Sequence, residues 1–263
     1  MRIVIVTGML CATLLPAQAM ADSPFDGTWK EDIASAKIAQ AKPDAFLLKD
    51  GNFTCKSCIP SYTVKADGSD QPISGNPNVD MVSVTASDPR NVVLTDKKNG
   101  KTIETITFKV AADDKAVEVD FTGTSTNGAS YSGQGGLKRV AKGPGGSGPI
   151  SGSWMRTAMK NASDSLATVT YKVDGDTLTM TDPTGDNFTA KMDGAEVPYT
   201  GNPGINTVSV KKMGARTLLE TDMRDGKVYE TVRATVARDG KAMTVVESNK
   251  MAHRVTTFKA NKQ

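Results

Sequence analysis

The sequence is poor in aromatic residues, cysteine and histidine. Aromatic residues make up 5% of the 263 positions, and the chain has three cysteines and one histidine. Because ligand pockets usually have aromatic walls, this composition gives little sign of a large pocket. A Ser-His-Asp relay has only His253 to be built around, in a Lys/Arg-flanked strand near the end of the chain. The sequence therefore predicts no enzyme.

Neither sign of charge dominates, and long apolar runs are missing after residue 21. The chain has 32 Lys and Arg against 29 Asp and Glu, and the basic residues are scattered. Nucleic-acid binding normally needs a concentrated basic face, so no nucleic-acid partner is predicted. The lack of a run of about 18 apolar residues predicts no integral membrane segment.

The first 21 residues have the pattern of a secretory signal peptide. Arg2 precedes an apolar run over 3–15, and small residues follow up to Ala19 and Ala21. This order predicts export and cleavage after Ala21, with Ala19 as the alternative. The residues before Cys11 are not the small ones that a lipoprotein signal needs. We therefore expect a soluble periplasmic or secreted protein.

Cys55 and Cys58 form the only Cys-x-x-Cys pair. In an exported protein we expect them to be oxidised. A thiol–disulfide exchange site would need a lowered thiolate pKa, typically at a helix N-terminus, and no helix is predicted after Cys58. The sequence therefore favours a structural staple, with redox chemistry as the alternative. No further zinc ligands lie nearby, and Ile59 stands where haem attachment wants His, so no metal or cofactor is predicted.

The chain contains an internal duplication. Segments of the first half recur 125 or 126 residues later, and the register holds over most of both halves. The matching segments are Gly27-Thr28-Trp29 and Gly152-Ser153-Trp154, Gly75-Asn76-Pro77 and Gly201-Asn202-Pro203, Thr95-Asp96 and Thr221-Asp222, and Glu104 and Glu230. The Gly/Pro-rich stretch 141–149 reads as a flexible linker. The predicted domains are repeat 1 at 22–140 and repeat 2 at 150–263.

Each repeat has turn residues at the spacing that is typical of β-hairpins. Two-residue loops such as Asn99-Gly100 and Asp225-Gly226 tolerate the positive φ of type I′ turns, and Thr- and Val-rich stretches run between them. This spacing predicts an all-β chain of two tandem antiparallel barrels or sandwiches. One short helix is predicted after the first strand of each repeat, at 31–41 and, more weakly, at 156–162.

The register of the hairpins predicts which face is buried. An uninterrupted hairpin at Asn99-Gly100 places Thr95 opposite Glu104, on an apolar face. The predicted interior residues are Val93, Ile106, Phe108, Val110, Val117, Val119 and Phe121 in repeat 1, and Leu219, Val228, Val232, Ala234, Val236, Met243 and Val245 in repeat 2. The opposite face of repeat 2 would carry Glu220, Asp222, Arg224 and Arg233.

Two glutamates fall on this predicted interior face. Glu104 lies beside Thr95, and Glu230 beside Thr221, with Asn249 next to Glu230 on the following strand. A buried carboxylate is costly unless it is hydrogen-bonded or neutralised, so these five residues are candidates for anchoring a polar or cationic ligand head. The alternative is that they lie near turns at a solvated rim.

The Gly-x-Trp openings at Trp29 and Trp154 resemble the first-strand motif of the lipocalin and fatty-acid-binding proteins. The resemblance implies up-and-down barrels that hold a small apolar or amphipathic molecule. It also implies a basic residue from the last strand over each Trp ring: Lys138 or Arg139 in repeat 1 and Lys259 in repeat 2. Both repeats are also similar to exported bacterial proteins of unassigned activity.

Three functions follow from these patterns. The first is a non-enzymatic exported binding protein, the second a structural or interaction module with filled cores, and the third a thiol–disulfide oxidoreductase. A cavity of a few hundred cubic ångströms inside a barrel favours the first, and filled cores favour the second.

Overall fold

A computed structural model describes residues 23–263, and the predicted signal peptide lies outside them. The described chain is all-β: twenty strands form two ten-stranded antiparallel sheets, each curled into a nearly closed barrel. The predicted all-β architecture is therefore confirmed.

Barrel 1 is one contiguous stretch of chain. Its strands in sequence order are β2 (Asp44–Lys49), β3 (Asn52–Cys55), β4 (Tyr62–Lys65), β5 (Gln71–Pro72), β6 (Met81–Asp88), β7 (Asn91–Lys98), β8 (Lys101–Val110), β9 (Ala116–Thr124), β10 (Ser130–Lys142) and β11 (Gly152–Ala162). Their order in the sheet is β4-β3-β2-β11-β10-β9-β8-β7-β6-β5.

Barrel 2 combines the first strand of the chain with the last nine. Its strands are β1 (Gly27–Gln40), β12 (Thr168–Asp174), β13 (Thr177–Thr181), β14 (Asn187–Lys191), β15 (Asp193–Pro198), β16 (Thr207–Gly214), β17 (Thr217–Arg224), β18 (Lys227–Val236), β19 (Ala242–Asn249) and β20 (Arg254–Lys262). Their order is β14-β13-β12-β1-β20-β19-β18-β17-β16-β15. A short helix, α1 (Asp164–Ala167), joins β11 to β12.

The opening strands of the two sequence repeats are exchanged between the barrels. Strand β1 lies between β12 and β20, with the Thr28 and Thr170 hydroxyl oxygens 2.9 Å apart, and Trp29 is buried in barrel 2. Strand β11 lies between β10 and β2, and Trp154 is buried in barrel 1. Each barrel therefore takes strands from both sequence repeats. The boundaries at 140 and 150 divide the predicted repeats and do not divide the barrels.

The Gly/Pro-rich stretch 141–149 is packed against barrel 1. The Gly148 N–H donates to the Leu48 carbonyl at 2.7 Å, and the Leu48 N–H donates to the Ser151 hydroxyl at 2.8 Å. Ile150, which follows the stretch, is fully buried. Because β10 and β11 are sheet neighbours, this stretch is a hairpin connection, whereas the sequence predicted a flexible linker.

The predicted helices at 31–41 and 156–162 are wrong, because both segments are extended. The apolar residues Ala34 and Ile38 are four apart, a spacing that places them on one face of either a helix or a strand. In β1 the alternation favours the strand, since Ala36 packs against the core of barrel 2. The helix α1 follows β11, a few residues after the predicted position.

The predicted hairpin turns at Asn99-Gly100 and Asp225-Gly226 are confirmed. Asn99 and Gly100 have φ values of 50° and 74°, and Asp225 and Gly226 have 51° and 71°, as type I′ turns require. The Thr- and Val-rich stretches of repeat 1 between the predicted turns form the strands β4, β6, β7, β8 and β9.

A β-bulge in each long hairpin changes which side chains point inward. Lys98 pairs with Lys101, but the register then shifts so that Asp96, rather than Thr95, lies opposite Glu104. The same shift places Asp222 opposite Glu230. An extra residue on one strand reverses the in–out alternation beyond it.

Because of the bulges, the predicted interior faces of β7 and β17 are wrong. The interior residues are Val92, Leu94 and Asp96 on β7, and Leu218, Glu220 and Asp222 on β17. Val93, Thr95, Leu219 and Thr221 alternate with these and point outward. Val228, which lies before the bulge, is 41% exposed. The prediction holds for Ile106, Phe108, Val117 and Val119, which pack in the core of barrel 1.

A basic side chain covers each tryptophan, although not in the predicted pairing. The Arg139 guanidinium lies 3.9 Å from the Trp154 ring centroid, and the Lys262 ammonium lies 5.6 Å from that of Trp29. The strand exchange explains the difference for Arg139, since it brings Trp154 to barrel 1. Lys259, the predicted partner in repeat 2, is exposed.

Candidate functional site

Barrel 1 contains a cavity of about 480 Å³, which extends toward the adjoining end of barrel 2. Most of its wall is apolar. The apolar side chains in the wall include Phe46, Leu94, Ile106, Phe108, Val119 and Phe121. This volume falls in the range of small-molecule sites. Of the two alternatives given by the sequence, a barrel with a cavity and a barrel with a filled core, barrel 1 therefore fits the first.

One glycine explains why barrel 1 is hollow and barrel 2 is filled at the equivalent place. Gly135 lines the cavity and pairs with Val119, whose counterpart in repeat 2 is Val245. Val245 pairs with Phe258, which is 9% exposed and packs in the core of barrel 2. The nearest atoms to a Cβ placed at Gly135 belong to Met159, 4.0 Å away. The space that a phenylalanine ring fills in barrel 2 is thus open in barrel 1.

The Cys55–Cys58 disulfide forms part of the cavity wall. Cys55 ends β3 and is 1% exposed, and the residues after Cys58 lead into strand β4. No helix follows the pair, so the feature that lowers a thiolate pKa in redox motifs is missing from this part of the described chain. The geometry fits a staple between strands.

Two carboxyl groups face each other in the cavity. Asp96 on β7 and Glu104 on β8 are direct cross-strand neighbours, and the Tyr131 hydroxyl donates to Glu104 Oε1 at 3.3 Å. Burial and the nearby Glu104 raise the pKa of Asp96 to about 7. Burial also raises the pKa of Glu104, against the opposing effects of Tyr131 and Arg156. Like charges at such a pair repel, which favours the protonated form of Asp96.

The end of the cavity nearest barrel 2 is also charged. Glu31 on β1 and Glu247 on β19 line it, together with Arg254 at the start of β20. Burial, and then Glu230 and Glu31, raise the pKa of Glu247 to about 8. Arg156 of β11 is also in the wall, where its Nε donates to Asp44 Oδ2 at 2.7 Å.

The interior of barrel 2 continues this acidic character. Glu220 and Asp222 are 9% and 3% exposed, and Asp222 Oδ1 has no hydrogen-bond partner among the described residues. Burial, followed by Asp222, raises the pKa of Glu220, and burial raises that of Asp222 to about 7. The sequence predicted both residues on the solvent face, because the bulge is invisible in the residue pattern. Glu230, which lies opposite Asp222, is in turn the cross-strand neighbour of Asn249.

The five predicted ligand-binding residues do not form one site. Glu104 lines the cavity, while Thr95 points outward. Glu230 and Asn249 lie inside barrel 2, and Thr221 points outward. Sequence reasoning missed Asp96 and Asp222, although the repeated Thr-Asp pair was visible. A one-residue register shift decides whether the Thr or the Asp of each pair faces inward, and nothing in the residue pattern shows that shift.

His253, the one histidine of the sequence, lies on the surface of the protein. His253 is exposed in the turn before β20, with its Nε2 3.1 Å from the Lys42 ammonium. Among residues 23–263, no three His, Cys, Asp or Glu side chains are placed to hold a metal ion. Within the same residues, no helix has the length and apolar character needed to cross a membrane.

A scan against protein-family models finds no matching family, and a search of curated proteins finds no relative. The barrel architecture implied by the Gly-x-Trp resemblance is present, and membership of the lipocalin family stays a hypothesis.

Proposed function

We propose that the protein is an exported, non-catalytic binding protein that holds a small amphipathic molecule in the cavity of barrel 1. The observation that carries the proposal is the apolar cavity of about 480 Å³, at a place where the twin barrel packs a phenylalanine. Burying apolar ligand atoms there gains about 25 cal/mol per Å². The carboxyl groups in the wall supply the few polar contacts that orient a ligand.

A fluorescent probe tests this proposal directly. N-phenyl-1-naphthylamine becomes brighter in apolar surroundings, so the wild-type protein should give a saturable increase in emission. Gly135→Phe copies Phe258 of barrel 2 and should abolish the increase. Gly214→Phe is the matched control, because Gly214 is exposed with open space around its Cβ position. Equal probe binding by Gly135→Phe, or none by the wild type, would refute the proposal.

Export is proposed from residues 1–21 alone. N-terminal sequencing of the protein from its native cells tests it: a chain that begins after Ala21, or after Ala19, supports export. An uncleaved chain in the cytoplasm would refute it.

The second candidate function, a structural module with filled cores, is favoured by barrel 2. There Trp29, Leu178 and Phe258 pack into one apolar cluster. Under that function the cavity of barrel 1 is an unused void, and the probe experiment separates the two.

A further inference from the structure

We infer that the molecule held in the cavity is an organic cation, with a protonated amine between Asp96 and Glu104 and an aliphatic body along the apolar wall. This inference rests on the proposed function and names the chemical class of its ligand.

The ionisable groups that line the cavity are mostly acidic. The lining contains five carboxyl groups, from Glu31, Asp44, Asp96, Glu104 and Glu247, and two guanidinium groups, from Arg156 and Arg254. The pairing of Asp44 with Arg156 leaves four carboxyl groups facing one guanidinium. When these carboxyl groups ionise, a cation restores the charge balance, whereas an anion increases the negative excess.

Within residues 23–263 the Asp96–Glu104 pair has one hydrogen-bond partner, the Tyr131 hydroxyl. Among the described residues Asp96 makes no side-chain hydrogen bond or ion pair, and Glu104 has only the 3.3 Å contact with Tyr131. Two opposed carboxylates destabilise a strand pair unless a proton or cation lies between them. An ammonium group has three donors and no acceptor, so it can donate to both carboxylates at once.

The wall around this pair suits the rest of such a molecule. Phe121 lies 6.5 Å from the Tyr131 ring, and Phe46 lies 5.5 Å from the Phe108 ring. Aromatic faces attract an alkylammonium group and also pack against methylene groups. Gly135 provides the room for the chain.

Cation binding must be linked to protons at this site. The groups that face Asp96 are Glu104 on β8, Tyr62 on β4 and Tyr131 on β10, with Arg156 of β11 beyond Glu104. Asp96, with its pKa raised to about 7, is largely protonated below neutral pH. An ammonium group binds the ionised form, so its binding releases a proton and tightens as the pH rises from 6 to 8. A neutral ligand shows no such gain.

Isothermal titration calorimetry with n-octylamine, 1-octanol and octanoate tests the inference. The three probes share one chain and differ in the head group. We expect the wild type to bind the amine at least about tenfold more tightly than the alcohol, which corresponds to about 1.4 kcal/mol. We also expect proton release, measured in buffers of different ionisation enthalpy, and weaker amine binding at pH 6 than at pH 8.

Variants locate the head group. Asp96→Asn and Glu104→Gln, each alone and together, should remove the preference for the amine over octanol. Asp174→Asn is the matched control, because Asp174 is exposed and has no side-chain partner within residues 23–263. If the double variant fails to fold, the single variants and the pH dependence of the wild type still decide.

The possible failures are distinguishable. Tightest binding of octanoate assigns the cavity to an anion held by Arg156 and Arg254, and equal binding of the three probes means that the head group is not recognised. If the naphthylamine probe binds but none of the three octyl compounds does, a cation is likewise not the preferred ligand. Each of these results overturns the cation and keeps the proposed function. Failure of the naphthylamine probe as well overturns both.

Discussion

Asp96 lies directly opposite Glu104 across β7 and β8, and both carboxyl groups face the cavity of barrel 1. The bulge that creates this pair recurs in barrel 2, where it places Asp222 opposite Glu230. In barrel 1 the pair borders the cavity, whereas in barrel 2 Asp222 is buried beside Glu220. The same backbone device thus gives a cavity-lining pair in one barrel and a buried acidic cluster in the other.

The stability of the protein should fall as the pH rises from 5.5 to 8.5. Asp222 and Glu247 have pKa values raised to about 7 and 8, whereas in the unfolded chain carboxyl groups titrate near 4. Between these values the unfolded chain binds fewer protons than the folded one, so the free energy of unfolding decreases with pH. A loss of 2 kcal/mol would lower Tm by about 4 to 8 °C. Thermal melts followed by circular dichroism check this, and an unchanged or higher Tm at pH 8.5 would contradict it.

Asp222→Asn should stabilise the protein at pH 8.5. The change keeps the shape of the side chain and removes a buried charge whose Oδ1 has no partner among the described residues. We expect a gain of about 1–3 kcal/mol in the free energy of unfolding at pH 8.5 and a smaller one at pH 5.5. Urea denaturation at both pH values measures it. Asp174→Asn serves as the control and should stay within about 0.5 kcal/mol of wild type. A destabilised Asp222→Asn protein at pH 8.5 would show that the carboxylate is needed.

The strand exchange is open to a cross-linking test. Thr28 and Thr170 are Cα partners on β1 and β12, so Thr28→Cys with Thr170→Cys should form a disulfide. If β1 stayed in its own repeat, Thr28 would instead pair with Ala45, which now pairs with Ser153. The pair Thr28→Cys with Ala45→Cys therefore reports the unexchanged arrangement. Peptide mapping without reduction distinguishes the two, and cross-linking of the second pair would refute the exchange.

Much of the fold follows from local sequence, and the exchange does not. Turn residues such as Asn99-Gly100 specify hairpins because few other residues adopt positive φ at low cost. The two opening strands carry the same Gly-x-Trp motif, so either tryptophan suits either barrel, and local pattern cannot choose between them. That choice depends on the connections, such as the packed hairpin between β10 and β11.

The candidate site was predictable in part. The in–out alternation of side chains along β8 correctly predicted that Glu104 faces inward, since apolar residues occupy every second position. The same alternation gave the wrong inward face for β7, because the bulge turns Asp96 inward and Thr95 outward. The cavity itself depends on Gly135, and a glycine in a strand does not reveal whether the opposite wall closes the space.

Arg139→Lys should destabilise the protein although it keeps the charge. The Arg139 guanidinium lies on the Trp154 ring and donates to the carbonyl of Ser151 at 2.7 Å and to those of Asp114 and Pro149. A lysine ammonium lacks the planar fork that reaches these carbonyls together, so we expect a loss of about 1–3 kcal/mol in urea denaturation. The exposed neighbour Lys138 provides the control as Lys138→Arg, which should be neutral. Wild-type stability of Arg139→Lys would mean that stacking and hydrogen bonding at this residue contribute nothing.

Native mass spectrometry of the protein purified from its own cells tests the central claim most directly. The account predicts a reproducible bound small molecule on the wild type that is lost in Gly135→Phe and retained in Gly214→Phe. A wild-type protein that is bare in every preparation, or a bound molecule that persists in Gly135→Phe, would contradict a ligand site in barrel 1.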